Sequence, residues 1–256
     1  MDILLIRFDA PLFSFGGPIV DNFGVIQEWP SLSMMTGLLA NALGYDHSDA
    51  DLLSGLQKRI RYAVRCDKNG GILIDFQTVD LGQKHMMNTG WTTWGKAEVR
   101  GGGAAKAGTH IRLRHYFVDS IFTVALTLSD DDMEPTLTRI ENALNQPSRP
   151  LFIGRKCCIP SAPLVLARRE SESLLAALKA AELPHSVDIK EIIDSPVANK
   201  FSVYIPSDEP WDVLEHYREI PVTDERDWIN QLHTGVRFIR HGHISLDSQV
   251  LEKSAL

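Results

Sequence analysis

Two features of this sequence suggest a binding site for a charged ligand. One is a pair of basic residues beside a glycine, and the other is a pair of serines before a predicted helix. Gly154 is followed directly by Arg155 and Lys156, and a predicted helix begins near Ser31 and Ser33. Single-stranded nucleic acid is held by cations along its phosphates, by amides at helix N-termini and by planar groups that stack on bases. These residues could bind a polyanion in this way, although ordinary helix capping is an equally good role for the two serines.

A second group of candidates lies in the middle of the chain. Arg112 and Arg114 alternate along a predicted strand, so their side chains are expected to point towards the same groove. Trp91 and Trp94 lie in a glycine-rich stretch that also contains Lys106. The two tryptophans could stack on nucleic-acid bases, or they could anchor this stretch on a neighbouring subunit or on the protein itself.

The distribution of charge supports binding of a polyanion better than the net charge does. The formal net charge is -7, yet residues 58–116 contain 11 Lys or Arg against four acidic residues. Residues 149–169 add five Lys or Arg and no acidic residue. One face could therefore grip a polyanion while the rest of the surface stays acidic, although most charge runs are simply solvated surface.

Metal and redox chemistry find little support in the sequence. The three cysteines, Cys66, Cys157 and Cys158, have neither zinc-site nor redox-motif spacing, and small buried side chains in a reducing compartment explain them better. The nine histidines are scattered apart from His241 and His243. We expect no metal ion and no cofactor.

Composition indicates a folded protein that can bury a substantial core. The chain has 256 residues, of which 44% are hydrophobic. It contains no apolar run of about 18 residues, and its start resembles a strand without a basic leader. The expectation is a soluble, cytoplasmic protein without a membrane partner.

Hydrophobic periodicity, helix caps and turn residues predict a β-α-(α)-β-β-excursion-β-α-β order of elements. Predicted strands lie at 3–9, 60–66, 72–79, 115–128, 151–154 and 201–205. Predicted helices lie near 34–43, 48–58, 134–144 and 171–182. The segment 67–71 is a hairpin signal between the second and third strands. Residues 80–113, called the thumb here, are too polar and glycine-rich for a core and are predicted to form a long hairpin or loop.

This order approximates the split βαβ arrangement of ferredoxin-like and RRM-like domains, which makes the predicted fold class α+β. The predicted first domain covers residues 1–165 and includes the thumb. Residues 166–256 are predicted to form a small, irregular, β-rich C-terminal elaboration.

Separated segments, in order along the chain, resemble the CasD family of CRISPR-associated RAMP proteins. The most specific is 150–160, which is similar to a glycine-arginine-arginine-x-cysteine-proline loop of that family. The other similar segments are 11–17, 29–33, 37–44, 61–67, 75–79, 119–126 and 208–210, together with Arg226 and Trp228. The likeness spans most of residues 2–228.

The resemblance implies an RRM-like fold with a thumb and a non-catalytic role in a type I-E Cascade complex. The implied ligand is the 5′ handle of the CRISPR RNA (crRNA). The implied protein partners are CasC-type backbone subunits, which the thumb contacts, and the large subunit of Cascade. Target DNA would be engaged only indirectly, through crRNA-guided recognition.

Two alternatives stay open. Type I-C relatives cleave precursor crRNA without metal through a tyrosine, a lysine and a histidine, and Tyr45, Arg114 and His115 fall roughly at those places. Because arginine does not give up a proton near neutral pH, cleavage is the weaker reading. The second alternative is a generic RRM-like RNA-binding protein with no connection to CRISPR.

Overall fold

The computed structural model describes residues 1–17, 22–80, 90–91, 94–98, 108–130, 132–194, 199–210 and 214–254. The strands are β1 (Asp2–Asp9), β2 (Leu12–Phe13), β3 (Phe23–Gly24), β4 (Ile60–Lys68), β5 (Gly71–Asp80), β6 (Gly90–Trp91), β7 (Ala97–Glu98), β8 (Thr109–Val118), β9 (Ile121–Leu128), β10 (Val165–Glu170), β11 (Phe201–Pro206), β12 (Glu215–Val222), β13 (Glu225–Asp227), β14 (Leu232–Thr234) and β15 (Arg237–Ile244). The helices are α1 (Leu32–Leu43), α2 (Ala50–Arg59), α3 (Leu137–Asn145), α4 (Leu174–Lys179), α5 (Ile189–Asp194) and α6 (Ser248–Ser254).

The central sheet confirms the predicted ferredoxin-like core. Its antiparallel order is β10-β1-β9-β4-β11-β15-β12. The first four positions, β10-β1-β9-β4, are those that two split βαβ units produce, with α1 connecting β1 to β4 and α3 connecting β9 to β10. Strands β11, β15 and β12 from the C-terminal portion continue the same sheet. The domain division near residue 165 stays a prediction.

Both faces of this sheet are covered. Leu4, Ile6 and Phe8 of β1 pack into a core that also contains residues of α1 and α3. Ile3 and Leu5 point the other way, into a second core with α4, α5 and α6. Strand β1 is therefore buried on both sides, because the C-terminal portion covers the face that the sequence pattern left open to solvent.

Helix α1 begins and ends as its sequence predicts. Ser31 is the N-cap and its hydroxyl accepts a hydrogen bond from the amide of Met34. Gly44 ends the helix with a φ of 88°, in the left-handed region where glycine is favoured. These two caps fix the position of the helix face that the candidate site uses.

The thumb is the continuation of a hairpin formed by β5 and β8. The two strands pair over ten residues, from Gly71 opposite Val118 to Asp80 opposite Thr109. At the base, Phe13, Phe15, Phe117 and Phe122 pack with ring centroids 5.1 to 5.7 Å apart. This aromatic cluster fixes the hairpin to the central sheet.

Three details of the predicted elements were wrong. Segment 151–154 is a loop, and the fourth core strand is β10 instead. The turn at 67–71 does not join a hairpin, because β4 pairs with β9 and β11 whereas β5 pairs with β8. The long strand at 115–128 is divided into β8 and β9 at Asp119, which has a φ of 55°.

Candidate nucleic-acid interface

A groove of about 860 Å³ runs along the exposed side of α1. Its floor is α1, and its walls come from residues 14–17, the loop 149–156 and the β13–β14 hairpin. Four predicted binding residues line it: Ser31, Ser33, Arg155 and Lys156. The structure therefore brings the start of the helix and the Gly154 loop to one surface.

The amides at the start of α1 are already occupied. The Leu32 amide donates to the Asp224 carboxylate at 2.9 Å, and the Ser33 amide donates to the Asp224 carbonyl at 3.0 Å. The Met34 amide donates to the Ser31 hydroxyl at 3.1 Å. The expectation that free amides face a phosphate here was therefore wrong, because a carboxylate from the C-terminal portion and the Ser31 cap satisfy them. Binding by the hydroxyls of Ser31 and Ser33 stays a prediction.

Gly154 allows a close approach, but to the protein's own backbone. It has a φ of 88°, and a Cβ there would stand 1.8 Å from the Ser14 carbonyl oxygen. The Ser14 amide donates to the Ile153 carbonyl at 3.2 Å. The glycine thus packs the loop against residues 14–17, the opposite wall of the groove.

Arg155 and Lys156 have different surroundings. The Arg155 guanidinium donates to the carbonyls of His115 at 2.6 Å and Gly24 at 3.0 Å, and lies 4.5 Å from the centroid of the Tyr116 ring. It ties the loop to β3 and β8. Lys156 is exposed and has no polar partner among the residues that the structure describes. Lys156 is thus the cation of this pair that is available to a ligand.

The other end of the groove is polar. Arg149 donates to the carbonyls of Tyr45 at 2.7 Å and Gly44 at 2.9 Å and pairs with Asp46 at 2.5 Å, which satisfies carbonyls at the end of α1. Burial raises the pKa of Tyr45 above its ordinary value. Because an ordinary tyrosine pKa is about 10, the Tyr45 hydroxyl keeps its proton near neutral pH and can donate a hydrogen bond.

The β13–β14 wall was not predicted as part of the site. The indole nitrogen of buried Trp228 donates to the side-chain oxygen of Gln57 at 3.2 Å, and the Gln57 amide donates to the Arg226 carbonyl at 3.0 Å. The Arg226 guanidinium lies 5.4 Å from the centroid of the Trp228 ring. Gln57 of α2 therefore holds this wall in place, through a long-range interaction that has no local signal in the sequence.

The two arginines of β8 share one face of the β5–β8 hairpin, as their spacing predicts. Arg112 lies opposite Gln77 and Arg114 lies opposite Asp75. Arg114 is exposed, and neither arginine lines the α1 groove. They form a second pair of basic residues, on β8 and outside the lining of the groove.

The tip of the thumb is described only in part. Trp94 is 87% exposed, so it does not anchor the thumb on the described part of this chain. Trp91 is in β6, but its side chain and all of Lys106 lie outside the described residues. The predicted roles of these three residues stay predictions.

The opposite face of the β5–β8 hairpin is apolar. Ile72, Ile74 and Phe76 of β5 are each more than half exposed. Phe23 of β3 and Ile111 of β8 are also exposed on this side. Contiguous exposed apolar surface of this kind is typical of protein–protein interfaces.

The residues of the cleavage alternative do not share the groove. Tyr45 lines it, whereas Arg114 and His115 do not. Arg114 and His115 are consecutive on β8, so their side chains point to opposite faces of the hairpin.

The described residues contain no group of three or more His, Cys, Asp or Glu side chains placed to hold a metal ion. Among them, no helix has the length and apolar character that crossing a membrane requires.

Comparison with known proteins identifies the family. Residues 3–240 match the family model described as CRISPR-associated protein (Cas_Cas5). The CRISPR system Cascade subunit CasD of Escherichia coli (strain K12) is 27% identical over 176 residues, which cover 68% of this chain and 75% of that protein. A chain of a solved CRISPR RNA-guided surveillance complex superimposes with a TM-score of 0.70 at 24% identity, covering 97% of this chain and 92% of the other. A solved Cas protein superimposes with a TM-score of 0.57 at 22% identity, covering 95% of each chain. The chain belongs to the Cas5 family of CRISPR-associated proteins.

Proposed function

We propose that this protein is a CasD-like subunit of a Cascade surveillance complex in the cytoplasm and that it holds the 5′ handle of the crRNA in the α1 groove. The observation that carries the proposal is Lys156, an exposed cation on the rim of a groove with an apolar floor. Single-stranded RNA needs this combination, a cation for the phosphate and apolar surface for an unpaired base. The similarity to CasD of Escherichia coli supports the assignment of the particle.

The β5–β8 hairpin supports the proposed assembly. Its apolar face, with Ile72, Ile74 and Phe76, suits a protein partner, and we assign it to a CasC-type backbone subunit. The opposite face, with Arg112 and Arg114, suits the phosphates of the RNA that passes from handle to guide. The large subunit of Cascade and the target DNA complete the proposed set of partners, the DNA through pairing with the guide.

Charge reversal at Lys156 tests the RNA site. Lys156→Glu should weaken binding of a repeat-derived oligoribonucleotide about tenfold. It should also lower the dependence of log K on log salt by about 0.7, because one phosphate is no longer neutralised by the protein. Lys190→Glu is the matched control, because Lys190 is an exposed lysine of α5 outside the groove. If Lys156→Glu and Lys190→Glu bind the RNA equally well, the RNA does not bind in the α1 groove.

The proposed role is non-catalytic. The positions of Tyr45, Arg114 and His115 support this, since Arg114 and His115 lie outside the groove that Tyr45 lines and point to opposite faces of β8. The purified chain should leave repeat RNA intact in EDTA over many hours. A discrete cut that His115→Ala abolishes would establish metal-independent cleavage instead.

A further inference from the structure

Gly37 lies within α1, where a glycine has no structural reason to be. Glycine in a helix interior is destabilising relative to alanine, because it loses more backbone freedom on folding. A Cβ built on Gly37 would meet no heavy atom within 4 Å, so protein packing does not demand the missing side chain. Gly55 of α2 has the same open surroundings but does not line the groove.

The space above Gly37 is the middle of the α1 groove. Met34 and Leu38 flank it on the helix, and Phe152 lies in the opposite wall. This part of the floor is apolar. The rim towards the start of α1 has the hydroxyls of Ser31 and Ser33, 3.1 Å apart, and the neighbouring loop has the exposed Lys156.

A polar group borders the apolar floor on the far side. The side-chain amide of Asn41 donates to the Pro150 carbonyl at 2.9 Å, which fixes the orientation of the side chain. The Asn41 side-chain oxygen receives no hydrogen bond from the described residues. It is therefore a free acceptor beside the apolar floor, suited to a donor on the edge of a planar ring.

A nucleobase attached to its phosphate matches these three features. Its faces suit the apolar floor, an exocyclic amino group suits the Asn41 oxygen, and the phosphate suits Lys156 at the rim. An apolar side chain of a protein would fill the floor but would leave Asn41 and Lys156 without a partner. The groove, at about 860 Å³, lies within the range of about 300–1,000 Å³ usual for small-molecule pockets.

We propose that Gly37 keeps open a slot in the α1 groove that receives one unpaired nucleobase of the bound RNA. This inference rests on the proposed function, because it takes the RNA to be the ligand of the groove. Gly37 would then determine the affinity for a nucleobase, whereas Lys156 determines the affinity for the RNA backbone. Any side chain at position 37 would occupy the place of that base.

The test uses the full chain with Gly37→Leu and Gly37→Ala, and with Gly55→Leu and Gly55→Ala as controls. The RNA probes are a repeat-derived oligoribonucleotide and versions of it with one abasic nucleotide at each position in turn. Wild-type protein and both Gly55 variants should lose affinity roughly tenfold at one abasic position, the value of one stacked base. Gly37→Leu should bind the intact RNA roughly tenfold more weakly and should show no further weakening at that same position.

Both alanine variants should raise the melting temperature by a similar amount, since both remove a glycine from a helix interior. A Gly37→Ala variant that melts at a higher temperature than wild type and yet binds RNA more weakly would show that binding is lost because the slot is blocked, not because the protein misfolds. The slot is refuted if Gly37→Leu binds intact RNA as tightly as Gly55→Leu, or if its abasic penalty equals that of wild type. If wild-type protein does not retain RNA at all, the proposed function itself fails, which is a different result.

Discussion

The carbonyl oxygen of Ser14 lies 1.8 Å from the point where a Cβ on Gly154 would stand. This close approach joins two walls of the α1 groove at a position where only hydrogen fits. Because Gly154 also has a φ of 88°, any other residue here would combine a backbone clash with left-handed strain. The loop that presents Lys156 therefore depends on this glycine.

Gly154→Ala should lower the free energy of unfolding by at least about 2 kcal/mol and should weaken RNA binding, since the loop must move away from Ser14. Chemical denaturation and RNA titration measure the two effects. Gly16→Ala is the control for the stability measurement, because a Cβ at Gly16 would meet nothing within 4 Å. A Gly154→Ala variant as stable as Gly16→Ala would contradict the close packing.

A buried ion pair in β4 predicts a second large effect. Arg65 and Asp67 are both fully buried, and the Arg65 Nε donates to Asp67 at 2.5 Å. Asp67→Asn keeps the shape of the side chain but leaves the Arg65 charge without its counter-ion. The free energy of unfolding should fall by about 3–5 kcal/mol, as measured by urea denaturation.

The neighbouring exposed pair is the control for this prediction. Lys68 lies 2.7 Å from Asp119, whose side chain is largely exposed. Lys68→Met should change the free energy of unfolding by less than about 1 kcal/mol, since solvent screens surface pairs. Equal losses of stability in Asp67→Asn and Lys68→Met would show that burial does not set the strength of the Arg65 pair.

The ring of His241 predicts a dependence of stability on pH. It stacks on Tyr204 at 4.5 Å, its Nε2 shares a hydrogen bond with Ser202 Oγ at 2.7 Å, and His243 lies 5.5 Å away. Burial lowers the pKa of His241, and the charges of Arg218 and His243 act in the same direction. The unfolded chain therefore binds a proton more readily than the folded chain does at this position.

Neutral His241 therefore contributes to the free energy of unfolding at pH values above the ordinary histidine pKa of about 6.5. This contribution is lost as the pH falls below that value, because the unfolded chain takes up the proton first. His241→Gln removes this proton uptake. The drop in melting temperature between pH 7.5 and pH 5.5 should be smaller in His241→Gln than in wild type. His233→Gln, at an exposed position, should retain the wild-type drop, and an unchanged drop in His241→Gln would rule out His241 as a source of the pH dependence.

Local sequence signals predicted the core elements because caps and periodicity act over a few residues. Helix α1 begins after Ser31 and ends at Gly44, as expected for a serine N-cap and a glycine C-cap. The strand prediction at 151–154 failed because an apolar run does not specify a partner strand, and of these residues only Ile153 is buried. The turn at 67–71 similarly marks a reversal of the chain but does not say that β5 pairs with β8 rather than β4.

The site was harder to predict because its charges and its walls are set by long-range interactions. Arg59 and Arg65 belong to the basic run 58–116, but both are buried and donate to backbone carbonyls. They add nothing to an electropositive surface. The hydrogen bond of Gln57 with Trp228 spans 171 positions in the chain, so no local pattern reveals that wall of the groove.

The apolar face of the β5–β8 hairpin gives the last prediction. Ile74 and Phe76 alternate along β5 on the face opposite Arg112 and Arg114, and each is more than half exposed. If this face packs against a backbone subunit, Ile74→Ser combined with Phe76→Ser removes two side chains from the centre of an interface. Incorporation into the complex should fall at least tenfold, in line with about 1–2 kcal/mol for central apolar side chains.

RNA binding by the isolated chain should be unchanged in this double variant, because neither side chain lines the α1 groove. Leu52→Ser, which changes a leucine of α2 that is 51% exposed, controls for the general reduction of surface apolar area. Pull-down of the complex through a tagged backbone subunit measures incorporation, and titration with oligoribonucleotide measures binding. If the double variant assembles as fully as Leu52→Ser, the hairpin face is not an assembly surface, and a different partner must account for its exposed apolar side chains.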